Sequence, residues 1–325
     1  MSDVNVLVYS AFEYTAFLHE GSEQAGRLEY VFPDLNFFFR NRDTVTDEDV
    51  RRADIIIGHP TPEMIGRAEN LKWLHVNSAG VNGYEKRSLY PNEYMIVTRA
   101  ADTFGISMAE HTVGMMISLS RNFRLLDRQQ RGHDWRIYRA DRELYGATVL
   151  MLGAGNLAKE IAGRLKGFDV KLIAVKRDPE NRPDWCEAAY GPKQLHEALA
   201  QADYVIDSLP LTEQTRHMLD AQAFAAMKQD AILINIGRGG TVDTEALVAA
   251  LREGRLYAAG LDVTEPEPLP ADSPLWDMEN VMISPHCSAL SGEENRRRTD
   301  TIIRLMKQYL SGDDLDYEVD FEKGY

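Results

Sequence analysis

The chain has 325 residues, of which 44% are hydrophobic and 27% charged, a balance typical of a globular protein and unlike that of a disordered chain. Because single domains usually hold about 100 to 200 residues, this length predicts two domains. The 51 acidic and 36 basic residues give a net charge of −15, which would repel nucleic-acid phosphates and anionic lipid, so we expect neither as a partner.

Short apolar runs rich in β-branched residues recur along the chain, and each is followed by a helical pattern. In chain order they are VNVLVYS, ADIIIGH, LKWLHVN, ATVLML, VKLIAV, ADYVIDSLP, AILINIG, YAAGLDV and NVMISPH. Continuous apolar strands that alternate with helices predict parallel sheets covered by helices on both faces. We therefore predict an α/β protein.

A buried helix over residues 108–120 is followed by the charged segment RNFRLLDRQQRGHDWR, which is typical of a linker or an arm. The region 100–146 therefore separates an N-terminal α/β unit from a second unit that begins at ATVLMLGAGN. Near the end, SGEENRRRTDTIIRLMKQYL predicts an amphipathic helix with Gly292 at its start and Gly312 just past its end.

A glycine turn, GAGNLA, joins the predicted strand TVLML to a helix. Gly153 permits a tight turn, and Gly155 lets the backbone approach a pyrophosphate. At the start of the helix, Asn156 and Leu157 bring N–H groups toward that anion, while Ala158 stands in place of a third glycine. Such a short match often marks only a turn, but the strand before it and the helix after it favour a dinucleotide site.

The residues after the next strand, DVKLIAV, bear on the choice of cofactor. An acidic residue at this point binds the ribose 2′-hydroxyl of NAD, whereas Lys176 and Arg177 here would attract the 2′-phosphate of NADP. Asp178 is a competing acid at about the same distance from the glycine turn. We predict NADP(H) as the preferred cofactor, with NAD as the alternative.

Arg238 follows the predicted strand AILIN, at the sheet edge where open parallel sheets bind ligands. Gly237, Gly239 and Gly240 leave the space around it clear and allow backbone conformations that other residues avoid. An alternative interpretation is a simple turn in which Asp243 or the next residue caps the following helix. That alternative accounts for the cap and leaves the arginine unexplained.

Two later strand ends lead to Glu267 and His286. If the strands are parallel, both side chains emerge at the same sheet edge as Arg238. A single histidine is more often structural than catalytic, and EPEPLP taken alone is an ordinary proline-rich loop. An arginine, a glutamate and a histidine together at successive strand ends beside a dinucleotide fold indicate an active site.

These motifs resemble the D-isomer-specific 2-hydroxyacid dehydrogenase family, which includes glyoxylate/hydroxypyruvate reductases and D-3-phosphoglycerate dehydrogenases. The resemblance spans nearly the whole chain and is weakest before about residue 50. It is carried by NSAGVN (77–82), MAEH (108–111), GAGNLA (153–158), SLPLTEQT (208–215), NIGRGGTVD (235–243), LDVTEPEP (261–268) and SPH (284–286).

The resemblance implies a role for each member of the predicted triad. Arg238 binds the substrate carboxylate, His286 donates a proton to the carbonyl oxygen during reduction, and Glu267 supports the histidine. A guanidinium grips a planar carboxylate with two hydrogen bonds, and a carboxylate beside an imidazole favours its protonated form. The nicotinamide cofactor supplies the hydride.

Further contacts are implied by the resemblance alone. The N–H groups of Ala79 and Gly80 share the substrate carboxylate, and Asp262 contacts the nicotinamide amide. Three further residues line the cofactor site: Ser208, Thr215 and the backbone of Ile236. The plainer alternatives are that the turn at Ala79 is only a turn and that Asp262 only caps a strand.

The resemblance also implies two domains, a flavodoxin-like substrate domain of residues 1–100 completed by 288–325, and a Rossmann-type dinucleotide-binding domain of 101–287. It implies a homodimer formed through the arm at 100–146, with Trp135 reaching toward the partner's substrate pocket. We expect Tyr9, Phe12 and His59 to shape the substrate end of the site.

We therefore expect an NAD(P)-dependent 2-oxo acid reductase that acts on glyoxylate, hydroxypyruvate or a related acid and requires no metal. The alternatives are oxidation of the kind catalysed by D-3-phosphoglycerate dehydrogenase, although the sequence shows no added regulatory domain, and an NAD(P)-sensing corepressor-like protein. Because there are only two cysteines and no basic region before the first apolar run, we expect a cytoplasmic protein.

Overall fold

The computed structural model describes residues 4–11, 17–92, 94–140 and 142–322. The chain divides into two compact units, one formed by Met1–Phe104 with Ser291–Tyr325 and the other by Gly105–Leu290. We call the first the terminal unit and the second the central unit.

The terminal unit contains one sheet of five parallel strands. The strands are β1 (Asn5–Ser10), β2 (Asn36–Asn41), β3 (Ile55–Gly58), β4 (Trp73–Val76) and β5 (Ile96–Arg99), and the helices are α1 (Glu23–Val31), α2 (Asp47–Arg52), α3 (Pro62–Arg67) and α10 (Glu294–Ser311). The strand order is β2-β1-β3-β4-β5, which is the flavodoxin-like order. The C-terminal helix α10 thus completes the unit that the N-terminal residues begin.

Both faces of this sheet are buried, as the apolar strands predict. Val6 and Val8 of β1 pack into one hydrophobic cluster, whereas Leu7 between them packs into a second cluster on the opposite face. Ile56 of β3 belongs to the second cluster. This alternation follows from the period of two along a strand.

The central unit contains one sheet of seven parallel strands. The strands are β6 (Thr148–Leu152), β7 (Lys171–Val175), β8 (Ala188–Tyr190), β9 (Tyr204–Asp207), β10 (Ile232–Asn235), β11 (Ala258–Leu261) and β12 (Val281–Ile283), and the helices are α4 (Gly105–Ser120), α5 (Phe123–Arg131), α6 (Asn156–Leu165), α7 (Leu195–Leu199), α8 (Ala221–Ala226) and α9 (Thr244–Arg252). The strand order is β12-β11-β10-β9-β6-β7-β8. The order reverses at β6, which is the switch point where Rossmann-type sheets bind dinucleotides.

The register of the central sheet brings the predicted site loops to one edge. Leu152 pairs with Asp207, Asp207 with Asn235, Asn235 with Leu261, and Leu261 with Ile283. These five residues are the last of their strands. The loops that carry the glycine turn, the arginine, the glutamate and the histidine therefore start side by side.

Three strands, β2, β5 and β8, are absent from the apolar runs of the sequence. Each lies at an edge of its sheet, where a strand has one hydrogen-bonded neighbour and needs less apolar surface. The helix ends agree better with the sequence. Asp243 caps α9 by accepting a hydrogen bond from Ala246 N at 3.0 Å, and Gly312 ends α10 with φ +76°.

The left-handed residue at the end of α6 is not a glycine. The helix continues past Leu165 into a short 3₁₀ turn, Lys166–Phe168, and Asp169 takes the left-handed conformation with φ +49°. Among the described helices, none is both long and apolar enough to cross a lipid bilayer.

Candidate active site

The predicted proton donor and its carboxylate partner are in direct contact. His286 Nδ1 lies 2.5 Å from Glu267 Oε1, and the two side chains are half-exposed, at 50% and 41%. Because an ionised carboxylate only accepts hydrogen bonds, Nδ1 carries the proton of this bond. Nε2 is therefore the nitrogen that remains for proton exchange with a ligand.

The loop that carries His286 is fixed by the buried Asp262. The carboxylate of Asp262 accepts hydrogen bonds from Ser284 Oγ at 2.6 Å, Cys287 N at 3.0 Å, and Ser288 N at 3.2 Å, and also from the Ser288 hydroxyl. Its backbone carbonyl accepts from His286 N at 2.8 Å. His286 itself has a left-handed backbone with φ +50°, and these bonds hold it there.

The role of Asp262 as a loop clamp was absent from the sequence-based interpretation, which gave it a nicotinamide contact. That contact stays a prediction. The clamp extends to α4, because His111 Nε2 lies 3.0 Å from Ser284 Oγ. A conformational role for Asp262 is recognisable only once the loop after β12 is folded against the end of β11.

Arg238 lies in the loop that follows β10, and its side chain is half-buried. Its Nη1 donates to the carbonyl of Gly237 at 2.7 Å. Burial lowers the pKa of the guanidinium, and the negative charge of Glu267 opposes this shift. An arginine nevertheless keeps its charge across the neutral range, so a cation is present in the field of Glu267.

The glycines around Arg238 are needed for a reason other than the one expected. None of Gly237, Gly239 and Gly240 has a positive φ, so the expectation of unusual backbone conformations is wrong. A Cβ on Gly237 would lie 2.8 Å from Leu209 O, and one on Gly239 would overlap the Thr264 carbonyl. The loop is therefore clamped between two neighbouring segments that approach too closely for any side chain.

The glycine turn after β6 has the geometry of a dinucleotide site. Gly153 has φ +93°, and its N–H donates to Val175 O at 3.0 Å. Gly155 precedes α6, and a Cβ built on it meets no atom within 4 Å, which leaves open space over the turn. The helix begins with Asn156 and Leu157, and its N-terminal N–H groups suit the negative charge of a pyrophosphate. The residues present fit an NAD(P) cofactor.

Three other predicted cofactor residues use their polar groups in hydrogen bonds within the protein. Ser208 Oγ donates to Leu152 O at 2.9 Å, and Thr215 Oγ1 donates to Pro210 O at 2.6 Å. The N–H of Ile236 donates to a carbonyl of β9 at 3.0 Å. Their contacts with a cofactor stay predictions.

The two basic residues after β7 differ in their surroundings. Lys176 Nζ donates to the carbonyl of Asn181 at 2.5 Å, so its ammonium group braces the following loop. Arg177 and Asp178 are exposed. Arg177 is thus the more exposed of the two cations at this strand end.

The other predicted substrate contacts lie in the terminal unit, in the turn after β4. Ser78 Oγ donates to Gly80 O at 2.7 Å, and Arg99 Nη1 donates to Ala79 O at 3.2 Å. These bonds use the carbonyls of the turn rather than the N–H groups of Ala79 and Gly80 that were predicted to bind the substrate.

Of the three residues expected to shape the substrate end of the site, the structure describes two, and their surroundings differ. Tyr9 is buried in the core of the terminal unit. His59 follows β3, and burial, assisted by the charge of Arg298, lowers its pKa to about 4, so its imidazole is neutral at neutral pH. Phe12 lies outside the described residues.

One buried acid was missed. Asp207 is fully buried at the end of β9, and burial raises its pKa to about 6 against the opposing hydrogen bonds of the Thr241 hydroxyl and the Leu209 N–H. The sequence carried a signal for it, since an aspartate ends the otherwise apolar run YVID. Nothing in the sequence pairs it with Thr241, which lies on another loop.

Comparisons with known proteins find a matching family model and similar proteins. A family model described as D-isomer specific 2-hydroxyacid dehydrogenase, NAD binding domain, matches residues 113–288. A glyoxylate reductase from Thermofilum pendens is 33% identical over 265 residues, covering 77% of this chain and 75% of the relative. A D-3-phosphoglycerate dehydrogenase from Methanocaldococcus jannaschii is 32% identical over 284 residues, covering 82% of this chain and 51% of the relative.

The fold is shared with solved structures over its whole length. A D-isomer specific 2-hydroxyacid dehydrogenase from Xanthobacter autotrophicus Py2, crystallised with NADPH and MES, has a TM-score of 0.86 and 28% sequence identity, with 100% of both chains covered. The family model spans more than half of this chain, including the glycine turn and the predicted triad. The chain therefore belongs to the D-isomer specific 2-hydroxyacid dehydrogenase family and is an NAD(P)-dependent enzyme of that family.

Proposed function

We propose that this enzyme reduces small 2-oxo acids, glyoxylate or hydroxypyruvate, to the D-2-hydroxy acid, with NADPH preferred over NADH. The observation that carries the proposal is that Glu267 acts on both other members of the triad. Its carboxylate contacts His286, and its negative charge also acts on Arg238. In this proposal His286 is the proton donor and Arg238 binds the substrate carboxylate, and both follow strands of one sheet.

Arg238 binds the carboxylate of the substrate in this proposal. A guanidinium presents a planar pair of N–H donors that matches a carboxylate, and such charge-assisted bonds are about twice as strong as neutral ones. Its half-buried position strengthens them further, because fewer water molecules compete. The 2-carbonyl group is thereby oriented for reduction.

His286 transfers the proton. When bound, the nicotinamide cofactor supplies a hydride to C2 of the substrate. The carbonyl oxygen gains negative charge as this happens and takes the proton from His286 Nε2. Glu267 holds Nδ1 protonated and keeps the ring oriented during the transfer. In the reverse direction the neutral imidazole accepts the hydroxyl proton.

The N–H groups of Ala79 and Gly80 are part of the same proposal as additional donors to the substrate carboxylate. They are supported by the half-buried turn after β4, in which the side chains of Ser78 and Arg99 bond to the carbonyls of Gly80 and Ala79. Backbone donors of this kind add orientation without adding a titratable group.

The function is tested by the rate of NADPH and NADH oxidation with glyoxylate, hydroxypyruvate, pyruvate and a bulky aromatic 2-oxo acid. We expect the highest kcat/KM with one of the first two acids and NADPH. Oxidation of D-3-phosphoglycerate at a higher kcat/KM would favour the alternative that the Methanocaldococcus relative suggests. Tight cofactor binding without turnover of any acid would favour a cofactor sensor.

The NADPH preference has its own test at Arg177. The neighbour from Xanthobacter was crystallised with NADPH, and Arg177 is the exposed cation after β7. Replacing Arg177 with serine is expected to raise the KM for NADPH by about 10-fold or more, because a charge-assisted bond contributes about 1.5–3 kcal/mol. The KM for NADH should stay within about twofold. Arg252→Ser, at an exposed position of α9, is the matched control.

We also propose that two copies of the chain form a dimer through the arm around α5. Four apolar side chains are exposed there, which is unusual for a surface that stays in water. They are Phe123 (48%), Leu126 (40%), Trp135 (98%) and Ile137 (96%). The predicted contact of Trp135 with the partner's substrate is part of this proposal.

Replacing both Trp135 and Ile137 with aspartate is expected to convert a dimer to a monomer, because two charges would have to be desolvated at the interface. Sedimentation velocity measures the change. The control is Leu310→Asp, which alters an exposed apolar residue of α10 in the terminal unit. A wild-type protein that is monomeric at micromolar concentration would contradict the proposed dimer.

A further inference from the structure

Three hydrogen-bond donors hold the backbone carbonyl oxygen of Arg238. Arg238 O accepts from Thr241 Oγ1 at 2.6 Å, from Asn235 Nδ2 at 3.1 Å, and from Thr241 N at 3.2 Å. Asn235 and Thr241 are both buried. The peptide that carries the substrate-binding side chain is therefore fixed from two sides.

Behind this arrangement lies Asp207. Its Oδ2 is in hydrogen-bond contact with Thr241 Oγ1, and its Oδ1 accepts from Leu209 N at 3.0 Å. Asp207 and Thr241 are both fully buried. The contacts form a continuous series from the end of β9, through the Thr241 hydroxyl, to the carbonyl of Arg238.

We propose that Asp207 is a positioning residue for Arg238 and acts through the hydroxyl of Thr241. The inference rests on the proposed role of Arg238 in binding the substrate carboxylate. It adds two residues, one at the end of β9 and one in the loop after β10, to those that set the affinity for the 2-oxo acid. Neither of them touches substrate in this proposal.

The number of protons in the series fixes its state. The Thr241 hydroxyl has one proton but faces two acceptors, Asp207 Oδ2 and Arg238 O. If Asp207 is ionised, one of these contacts lacks a proton. If Asp207 is protonated, it donates to Thr241, Thr241 donates to Arg238, and every contact holds one proton. The complete series therefore requires the neutral carboxyl group.

Burial favours that neutral form, and it raises the pKa of Asp207 to about 6. The groups that contact the carboxyl group are the Thr241 hydroxyl and the Leu209 N–H. Charged side chains on the adjoining loops bond elsewhere: Arg238 to its neighbouring carbonyl, and Glu265 to Arg216 and His217. The series is thus complete below about pH 6 and loses its proton above it.

The consequence for catalysis is geometric. A displacement of about 1 Å at a group that orients the substrate costs roughly 100-fold in rate. Because the guanidinium is attached to the peptide that Thr241 holds, loosening that peptide weakens the grip on the carboxylate. The cofactor turn after β6 is held by other bonds and should be unaffected.

The first test removes the hydroxyl while keeping the shape. Thr241→Val is expected to raise the KM for glyoxylate by about 5- to 20-fold, since one lost hydrogen bond costs about 1 kcal/mol and the Oδ2 atom of Asp207 loses its partner. Thr241→Ser keeps the hydroxyl and should restore the KM to within about twofold of wild type. The Kd for NADPH should not change in either variant.

The matched control is Thr112→Val in α4. Thr112 is also fully buried in the central unit, and its hydroxyl donates to Met108 O at 2.7 Å. A similar rise in KM in this control would show a general effect of losing a buried hydroxyl and would overturn the inference. An unchanged KM in a folded Thr241→Val variant would overturn it as well.

The second test uses Asp207→Asn, which keeps an N–H donor group and a carbonyl acceptor but cannot ionise. The KM for glyoxylate in wild type, divided by that in the variant, should be near 1 at about pH 5 and rise to about fivefold at about pH 8, as wild-type Asp207 loses its proton. Taking the ratio removes the pH dependence that both proteins share. A ratio that stays constant across this range would overturn the proton assignment and, with it, the inference.

A stability measurement tests the same assignment without using activity. The carboxyl pKa is about 6 when folded against a model value of 3.8, so the folded state binds the proton more tightly. The stability from this group is fully present below about pH 4 and is lost as the pH rises through about 6. Relative to wild type, Asp207→Asn should therefore gain in Tm over this pH range, and no relative gain would contradict the assignment.

Failure of this inference is distinguishable from failure of the proposed function. If Arg238→Ala leaves the KM for every 2-oxo acid unchanged, the role of Arg238 is wrong and the inference falls with it. If Arg238→Ala raises the KM but Thr241→Val and Asp207→Asn behave like wild type at all pH values, the proposed function stands and only the inference fails.

Discussion

Replacing His286 with alanine is expected to lower kcat for glyoxylate reduction by about 10²- to 10⁴-fold, the usual contribution of a positioned proton donor. The contact between Nδ1 and Glu267 Oε1 at 2.5 Å leaves Nε2 as the only ring nitrogen available to the substrate. Without the ring, the negative charge that develops on the carbonyl oxygen must be neutralised by water. The rate is measured by following NADPH absorbance at saturating glyoxylate.

The Kd for NADPH should be the same in wild type and His286→Ala, because the cofactor turn at Gly153 is held by separate bonds. Fluorescence titration of NADPH measures it. His196→Ala, at an exposed position in α7, controls for the loss of a histidine from the same unit. A kcat within about twofold of wild type in His286→Ala would remove this residue from the mechanism.

Replacing Arg238 with alanine is expected to lower kcat/KM by about 10²- to 10⁴-fold. Two charge-assisted hydrogen bonds to the substrate carboxylate would be lost, each contributing about 1.5–3 kcal/mol. The KM should rise as well as kcat fall, because the guanidinium both binds the acid and aligns its carbonyl. Initial rates over a range of glyoxylate concentrations separate the two constants.

Arg238→Lys distinguishes charge from shape. An ammonium keeps the positive charge but cannot form the paired, planar contact, so we expect kcat/KM between those of wild type and Arg238→Ala. Arg252→Ala, which removes an exposed arginine from α9, is the control. Wild-type KM and kcat in Arg238→Lys would show that the forked geometry is not used.

The sequence predicted the interior of both sheets better than their edges. Strands such as β3 and β6 are nearly continuous apolar runs because helices cover both of their faces. Successive residues of such a strand are therefore buried, and the sequence shows this directly. The edge strands β2, β5 and β8 lack that constraint and could not be recognised by the same pattern. The domain to which α10 belongs was expected from the family resemblance rather than from periodicity.

The candidate site was also predicted only in part from the sequence. Arg238, Glu267 and His286 were predicted because each follows a strand, and parallel strands end at a common edge. The reason for the glycines around Arg238 was wrong, since they prevent overlap with Leu209 and Thr264 rather than provide positive φ. Overlap depends on which segments pass close to the loop, and that is a property of the packed structure.

The sequence by itself determined the class of fold, the glycine turn and the chemical types that face a ligand, because apolar period, glycine spacing and strand-end residues are local properties of the chain. Only the tertiary structure decided that Asp262 clamps the histidine loop and that Asp207 reaches the arginine loop through Thr241. Asp262 and Cys287 are separated by 25 residues along the chain, and Asp207 and Thr241 by 34. Hydrogen bonds between such distant residues depend on strand order and register, which no short stretch of sequence specifies.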